Sequence, residues 1–184
     1  MKKLSFSILG LTTIMALSAC NAAEKEQPAN SSDVGAASMA SEINEEQRLL
    51  KEAQNQFIAG ENFLNQNKNA KGVHTTPSGL QYKVNHQTKG KPPKATDTVT
   101  VEYEGRLIDG TVFDSTAMHG NKPATFPLNG VIPGWTEGLQ LMNEGSNFTF
   151  YIPANLAYGN QSPSPLIPAY STLIFDVKLI KVGE

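Results

Sequence analysis

Two hydrophobic periods divide the chain. From Ser41 to about Asn69 apolar residues recur at helical spacing: Leu50, Ala53, Phe57 and Leu64 form one stripe, with Leu49, Ile58 and Phe63 beside it. Asn44, with Gln47 three residues on, can supply a capping box and so predicts the helix start. Gly60 weakens the middle of this helix. A stripe of this kind must be buried. The sequence leaves three covers open: the chain's own domain, a short amphipathic stalk, or a second copy paired through residues 44–69 as a homodimer.

After Gly72 the period switches to two. Leu80, Tyr82 and Val84 alternate with polar residues, as do Val99, Val101 and Tyr103, then Phe148, Phe150 and Ile152, and finally Leu173, Phe175, Val177 and Leu179. These segments predict the strands of one antiparallel sheet with a single buried face. Asp109-Gly110, between Leu107 and Val112, is a hairpin-turn signal. One short helix is predicted over about Gly134 to Met142, with Trp135, Leu139 and Leu141 toward the sheet. A Pro-rich loop, Ala157 to Ser171, precedes the last strand. The predicted fold is α+β: a curved antiparallel sheet wrapped around one short α-helix, preceded by an N-terminal helix and a tether.

The first residues belong to targeting rather than to the fold. Met1-Lys2-Lys3 is a basic start, and Leu4 to Ala16 is apolar but too short to span a membrane. Residues 21–40, NAAEKEQPANSSDVGAASMA, have no apolar period and predict a disordered tether. The expected organisation is therefore a signal segment over 1–19, a tether over 20–40, a helical segment over 41–71 and a folded domain over 72–184.

Composition narrows the chemistry. The formal net charge of −2 gives no reason to expect nucleic acid as a partner. The single cysteine, Cys20, excludes an internal disulfide. His74, His86 and His119 have no metal-site spacing and read as surface histidines. No phosphate loop and no nucleophile elbow is present, so neither a metal nor a cofactor is expected. What stands out is a set of aromatics where strands meet loops: Tyr103, Phe113, Phe126, Trp135, Tyr158 and Phe175, with the acidic Asp114 after Phe113. Phe175 reads as core. Trp135 and Tyr158 each adjoin a glycine at an element boundary with proline nearby, which is where loops hold pocket residues on a rigid scaffold.

Two resemblances add to this reading. Leu17-Ser18-Ala19-Cys20 resembles the lipobox of bacterial lipoproteins, whose cysteine takes a diacylglyceryl group and, in mature form, a further acyl chain such as palmitate. The resemblance implies a lipid anchor on Cys20. Asn21, in place of aspartate, implies the outer membrane, facing the periplasm or the cell surface. The segments VEYEGRLIDGTVFDS, FPLNGVIPGWTEGLQLM, ANLAYGN and STLIFDVKLIKV occur in the order and spacing of FKBP-type peptidyl-prolyl cis-trans isomerases, and cover about residues 74 to 183. TTPSGLQYKV and KPPKATDTV resemble the bacterial Mip-like branch, many members of which dimerise through an N-terminal helical segment.

That resemblance implies a pocket with Tyr103, Phe113 and Asp114 on one wall, Val131 and Ile132 at the rim and Trp135 as the floor. Tyr158, Ile167 and Phe175 form the opposite wall. It implies catalysis on proline-containing polypeptides through Asp114, Tyr158 and the Ile132 backbone N–H, with the remaining residues binding substrate, and binding of macrolide inhibitors. Asp114 could instead be structural, bonding the loop that carries Phe113, and the fold could instead serve as a non-catalytic chaperone or binding platform. Three positions depart from the family pattern: Ala124 stands where some members have an aromatic, His119-Gly120 where an arginine is usual, and Pro163-Ser164-Pro165 where some have a histidine.

Overall fold

The alternating segments pair into one sheet, and the helical segment joins it. The computed structural model describes residues 32–183, with side chains from Ser41 onward. The signal segment, Cys20 and the tether up to residue 31 lie outside the described residues. The chain divides into two compact units, Met1–Met39 and Ala40–Glu184. Of the first, only the helical backbone from Ser32 onward is described. The second holds everything that follows.

Helix α1 spans Ser32–Asn67. It begins ahead of the expected Ser41, so the predicted tether is too long and Asn44 lies inside the helix rather than capping it. Ala36, Ala37, Met39 and Ala40 explain this. They are strong helix formers with no proline among them, and propensity here outweighs the absence of an apolar stripe.

The seven strands are β1 (Val73–Thr75), β2 (Gln81–His86), β3 (Thr98–Leu107), β4 (Val112–Ser115), β5 (Ala124–Pro127), β6 (Asn147–Ile152) and β7 (Leu173–Val182). They form one antiparallel sheet in the order β1-β2-β6-β7-β3-β4, with β5 added along β3. The long central pair β3–β7 sets Tyr103 opposite Val177 and Gly105 opposite Phe175. The Asp109-Gly110 turn closes β3 onto β4 as expected: Gly110 has φ 89°, and Asp109 Oδ1 accepts from the Thr111 N–H at 2.9 Å.

The short helix is α2, Pro133–Leu139. It lies against the buried face, where Val99, Val101, Phe148, Phe150, Ile152, Val177 and Leu179 meet Leu139 and Met142. Gly138 allows the close approach, since a Cβ there would stand 2.7 Å from the Phe150 ring. The helix ends earlier than expected. Leu141 is exposed and Met142 is the buried residue, because the chain leaves helical geometry after Gln140 and turns Met142 inward.

The opposite face of the sheet is not simply solvated. The C-terminal end of α1 covers part of it. Leu64 is buried, Phe63 packs on Tyr151 at 6.0 Å between ring centroids, and the buried Gln81 donates to Leu64 O at 2.9 Å and accepts from Asn67 at 2.9 Å. Gly60 is the crossing point. A side chain there would collide with the Thr172 hydroxyl, so the residue that weakens the helix also lets it seat. Residues 40–184 thus form one compact unit, and the change of period near Gly72 falls where α1 gives way to β1. Farther along the stripe Phe57 meets Tyr170 edge-to-face at 6.1 Å between centroids, while Ile43, Leu49, Leu50 and Ile58 are each about half exposed or more.

Candidate active site

One cavity of about 550 Å³ opens at the edge of the buried face, between the β3–β4 hairpin, the start of α2 and the loop before β7. Tyr103, Phe113, Asp114, Val131, Ile132, Trp135, Tyr158, Ile167 and Phe175 all line it, so every pocket residue expected from the sequence meets in one place. Phe126, singled out in the sequence as a boundary aromatic but not placed in the pocket, completes the lining with Gly130, Pro163 and Ser164. Phe126 comes from β5, whose pairing with Val99 of β3 is non-local, and it shows in sequence only as an aromatic between turn-forming residues. Ala124 lies on the same strand opposite Val101 and does not line the cavity.

The floor is an aromatic box. Trp135 meets Tyr103, Phe126 and Phe175 edge-to-face, with centroids at 5.3, 5.9 and 5.2 Å. Phe113 meets Phe175 in the same way at 5.5 Å. Such pairs are favoured over face-to-face stacking by the ring quadrupoles and hold their geometry. Gly105 makes room for them: a Cβ there would stand 2.6 Å from the Phe175 ring and 2.7 Å from Phe113. The resulting slot is walled largely by aromatic rings.

Polar groups stand at its rim. Tyr103 donates its hydroxyl to Asp114 Oδ2 at 2.5 Å, and His119 Nε2 lies 2.8 Å from Asp114 Oδ1. His119 is exposed, as read from the sequence, yet it is a partner of the site's only carboxylate. Burial works to raise the Asp114 carboxyl, but the hydrogen bonds from Tyr103 and His119 outweigh it and hold it below the usual range, so Asp114 is ionised at neutral pH. Burial, then the bond to Asp114, pushes the Tyr103 hydroxyl well above its ordinary range, so it stays protonated and remains the donor. Tyr158 is raised by burial and by the Asp114 charge. Its hydroxyl has no hydrogen-bond partner among the described residues. Nor has the Ile132 backbone N–H, at the point where α2 begins. Two donors without a protein partner among the described residues therefore border an apolar slot. Among the described residues no cluster of His, Cys, Asp or Glu could hold a metal.

Comparison with known proteins bears on the same residues. A family model described as FKBP-type peptidyl-prolyl cis-trans isomerase matches residues 89–180, and one described as the domain amino-terminal to it matches residues 10–84. This chain belongs to the FKBP-type isomerase family. Within that family it is 60% identical over 124 residues to the probable FKBP-type peptidyl-prolyl cis-trans isomerase FkpA of Neisseria meningitidis, covering 67% of this chain and 45% of that one. It is 52% identical over 134 residues to the outer membrane protein MIP of Legionella longbeachae, covering 73% and 57%. The crystal structure of FkpA from Escherichia coli superposes with a TM-score of 0.76 at 38% identity, over 86% of this chain and 75% of that one. The chain thus spans about half the length of the curated relatives it matches. The family's curved antiparallel sheet on a short helix is the fold described above.

Proposed function

We propose that the chain is a peptidyl-prolyl cis-trans isomerase of the bacterial cell envelope, acting on proline-containing segments of exported polypeptides. The observation that carries this is the pairing of an apolar aromatic slot with two free donors at its rim. Rotation about a peptide bond meets a barrier of about 18–20 kcal/mol, which comes from amide resonance. The planar amide is more dipolar than the twisted one, so a site that strips water from it raises the planar form relative to the twisted form. Trp135, Phe175 and Phe113 take the pyrrolidine ring. The Ile132 N–H and the Tyr158 hydroxyl hold the flanking carbonyls while the bond turns. Asp114 fixes Tyr103 and sets the local charge. No bond breaks, and no cofactor is required.

The test is isomerisation of an X-Pro tetrapeptide. Asp114→Asn and Tyr158→Phe should fold normally and lose roughly tenfold or more in kcat/KM. A macrolide of the tacrolimus type should inhibit the parent by filling the same slot. Two folded variants that turn over the peptide like the parent would leave a binding platform as the better reading.

Two further parts of the proposal concern the N-terminal side. Cys20 carries a lipid that holds the protein at the outer membrane, which the LSAC sequence supports and with which the name of the MIP relative agrees. The exposed half of α1 pairs two copies, supported by Ile43 and Leu50 at seven-residue spacing, each more than half exposed.

A further inference from the structure

His119 occupies a position from which it can change the charge of the pocket without touching the substrate. It ends the 3-10 turn Thr116–His119, which follows β4 directly. The turn is tied at both ends. Ser115 Oγ accepts from the Met118 N–H at 3.2 Å, the Asn121 N–H donates to Thr116 O at 2.9 Å, and Gly120 closes it in the left-handed conformation at φ 76°. This geometry brings the imidazole back onto Asp114, whose two oxygens are thereby both engaged: Oδ1 by His119 and Oδ2 by Tyr103.

The groups facing this carboxylate come from three elements. Tyr103 stands on β3, Tyr158 on the loop after β6, and His119 on its own turn. Lys122, in the next turn, makes no ion pair among the described residues. Both tyrosines have raised values and stay neutral at physiological pH, and Asp114 stays ionised. Histidine is the side chain whose charge changes between about pH 5 and 8. The His119 side chain is 67% exposed, so it is open to solvent.

We propose that His119 is a positioning residue that sets the net charge at the pocket rim, so that segments with a basic residue before proline are preferred at mildly alkaline pH and segments with an acidic one gain at mildly acid pH. With His119 protonated, the imidazolium and the Asp114 carboxylate cancel. With His119 neutral, the hydrogen bond remains but the pair carries one negative charge beside the bound peptide. The proposal rests on the reading of this pocket as an isomerase site.

The experiment measures kcat/KM for two tetrapeptides differing only in Lys or Glu before proline, at pH 5.5 and 8.0 and low ionic strength. Exchange NMR serves as the readout, because it needs no coupling protease. Neither peptide side chain titrates in that interval. In the parent, the Lys/Glu ratio should rise by roughly threefold to tenfold from pH 5.5 to 8.0, and the rise should shrink in added salt. His119→Arg should hold the ratio near the parent's acid value at both pH values, and His119→Asn near its alkaline value. A flat ratio in the parent, or variants that follow pH as the parent does, overturns the proposal while leaving the isomerase reading intact. Absence of turnover in the parent overturns both.

Discussion

Trp135 is 5% exposed, although it forms the floor of an open cavity. Its neighbours explain this: three aromatic rings pack against it edge-to-face. Its indole Nε1 is the one buried side-chain polar atom without a hydrogen-bond partner among the described residues, so the ring is held by packing alone. Trp135→Ala should therefore destabilise the fold by about 3–5 kcal/mol in denaturant unfolding, the range for emptying a buried aromatic site. A cost under about 1 kcal/mol would show that the box closes without it. The sequence placed Trp135 correctly at a helix start beside glycine, but burial depends on Tyr103, Phe126 and Phe175, which arrive from three different strands. His119 was harder to read for the opposite reason. Its link to Asp114 is local, but it needs the turn capped by Ser115 and Gly120, and those two residues were the available signal.

At the scale of elements, strands were the most legible, because alternation reports a buried face directly. β1 and β5 escaped notice: each is too short for a period to show. Val84, expected inside, is exposed because β2 loses its cover toward its end. Helix α1 carried three open explanations for one stripe, and the structure divides it between two of its ends. Leu64 is buried on the domain, whereas Leu50 is exposed and unpartnered. The two ends should respond differently to mutation. Leu64→Ala should cost about 2–5 kcal/mol of stability. Leu50→Glu should leave stability and tetrapeptide turnover unchanged but convert a dimer to a monomer in sedimentation equilibrium. A parent that sediments as a monomer at the highest concentrations would show that the exposed half of the stripe does not pair copies.

At the scale of the whole molecule, the proposed membrane anchor is the part left to test. No helix among the described residues is long and apolar enough to cross one. The net charge of −2 offers no general attraction to anionic lipid. The proposed membrane attachment rests on Cys20, which lies outside the described residues. Stable anchoring takes more than one acyl chain, and the diacylglyceryl group of the lipoproteins this leader resembles supplies that. The described unit adds reach of its own kind. Its helical part, Ala40–Asn67, is about 40 Å long at 1.5 Å per residue, and it is the backbone from Ser32 to Ala40 that is helical where the sequence suggested a flexible tether. Cys20→Ser should move the protein from the membrane pellet to the soluble fraction and remove the acyl mass from the N-terminal peptide. Its kcat/KM on a tetrapeptide should equal the parent's, because the pocket is built wholly from residues after Thr98. If the variant remains in the pellet after a salt wash, a protein contact rather than a lipid holds it there, and the exposed face of α1 becomes the surface to test next.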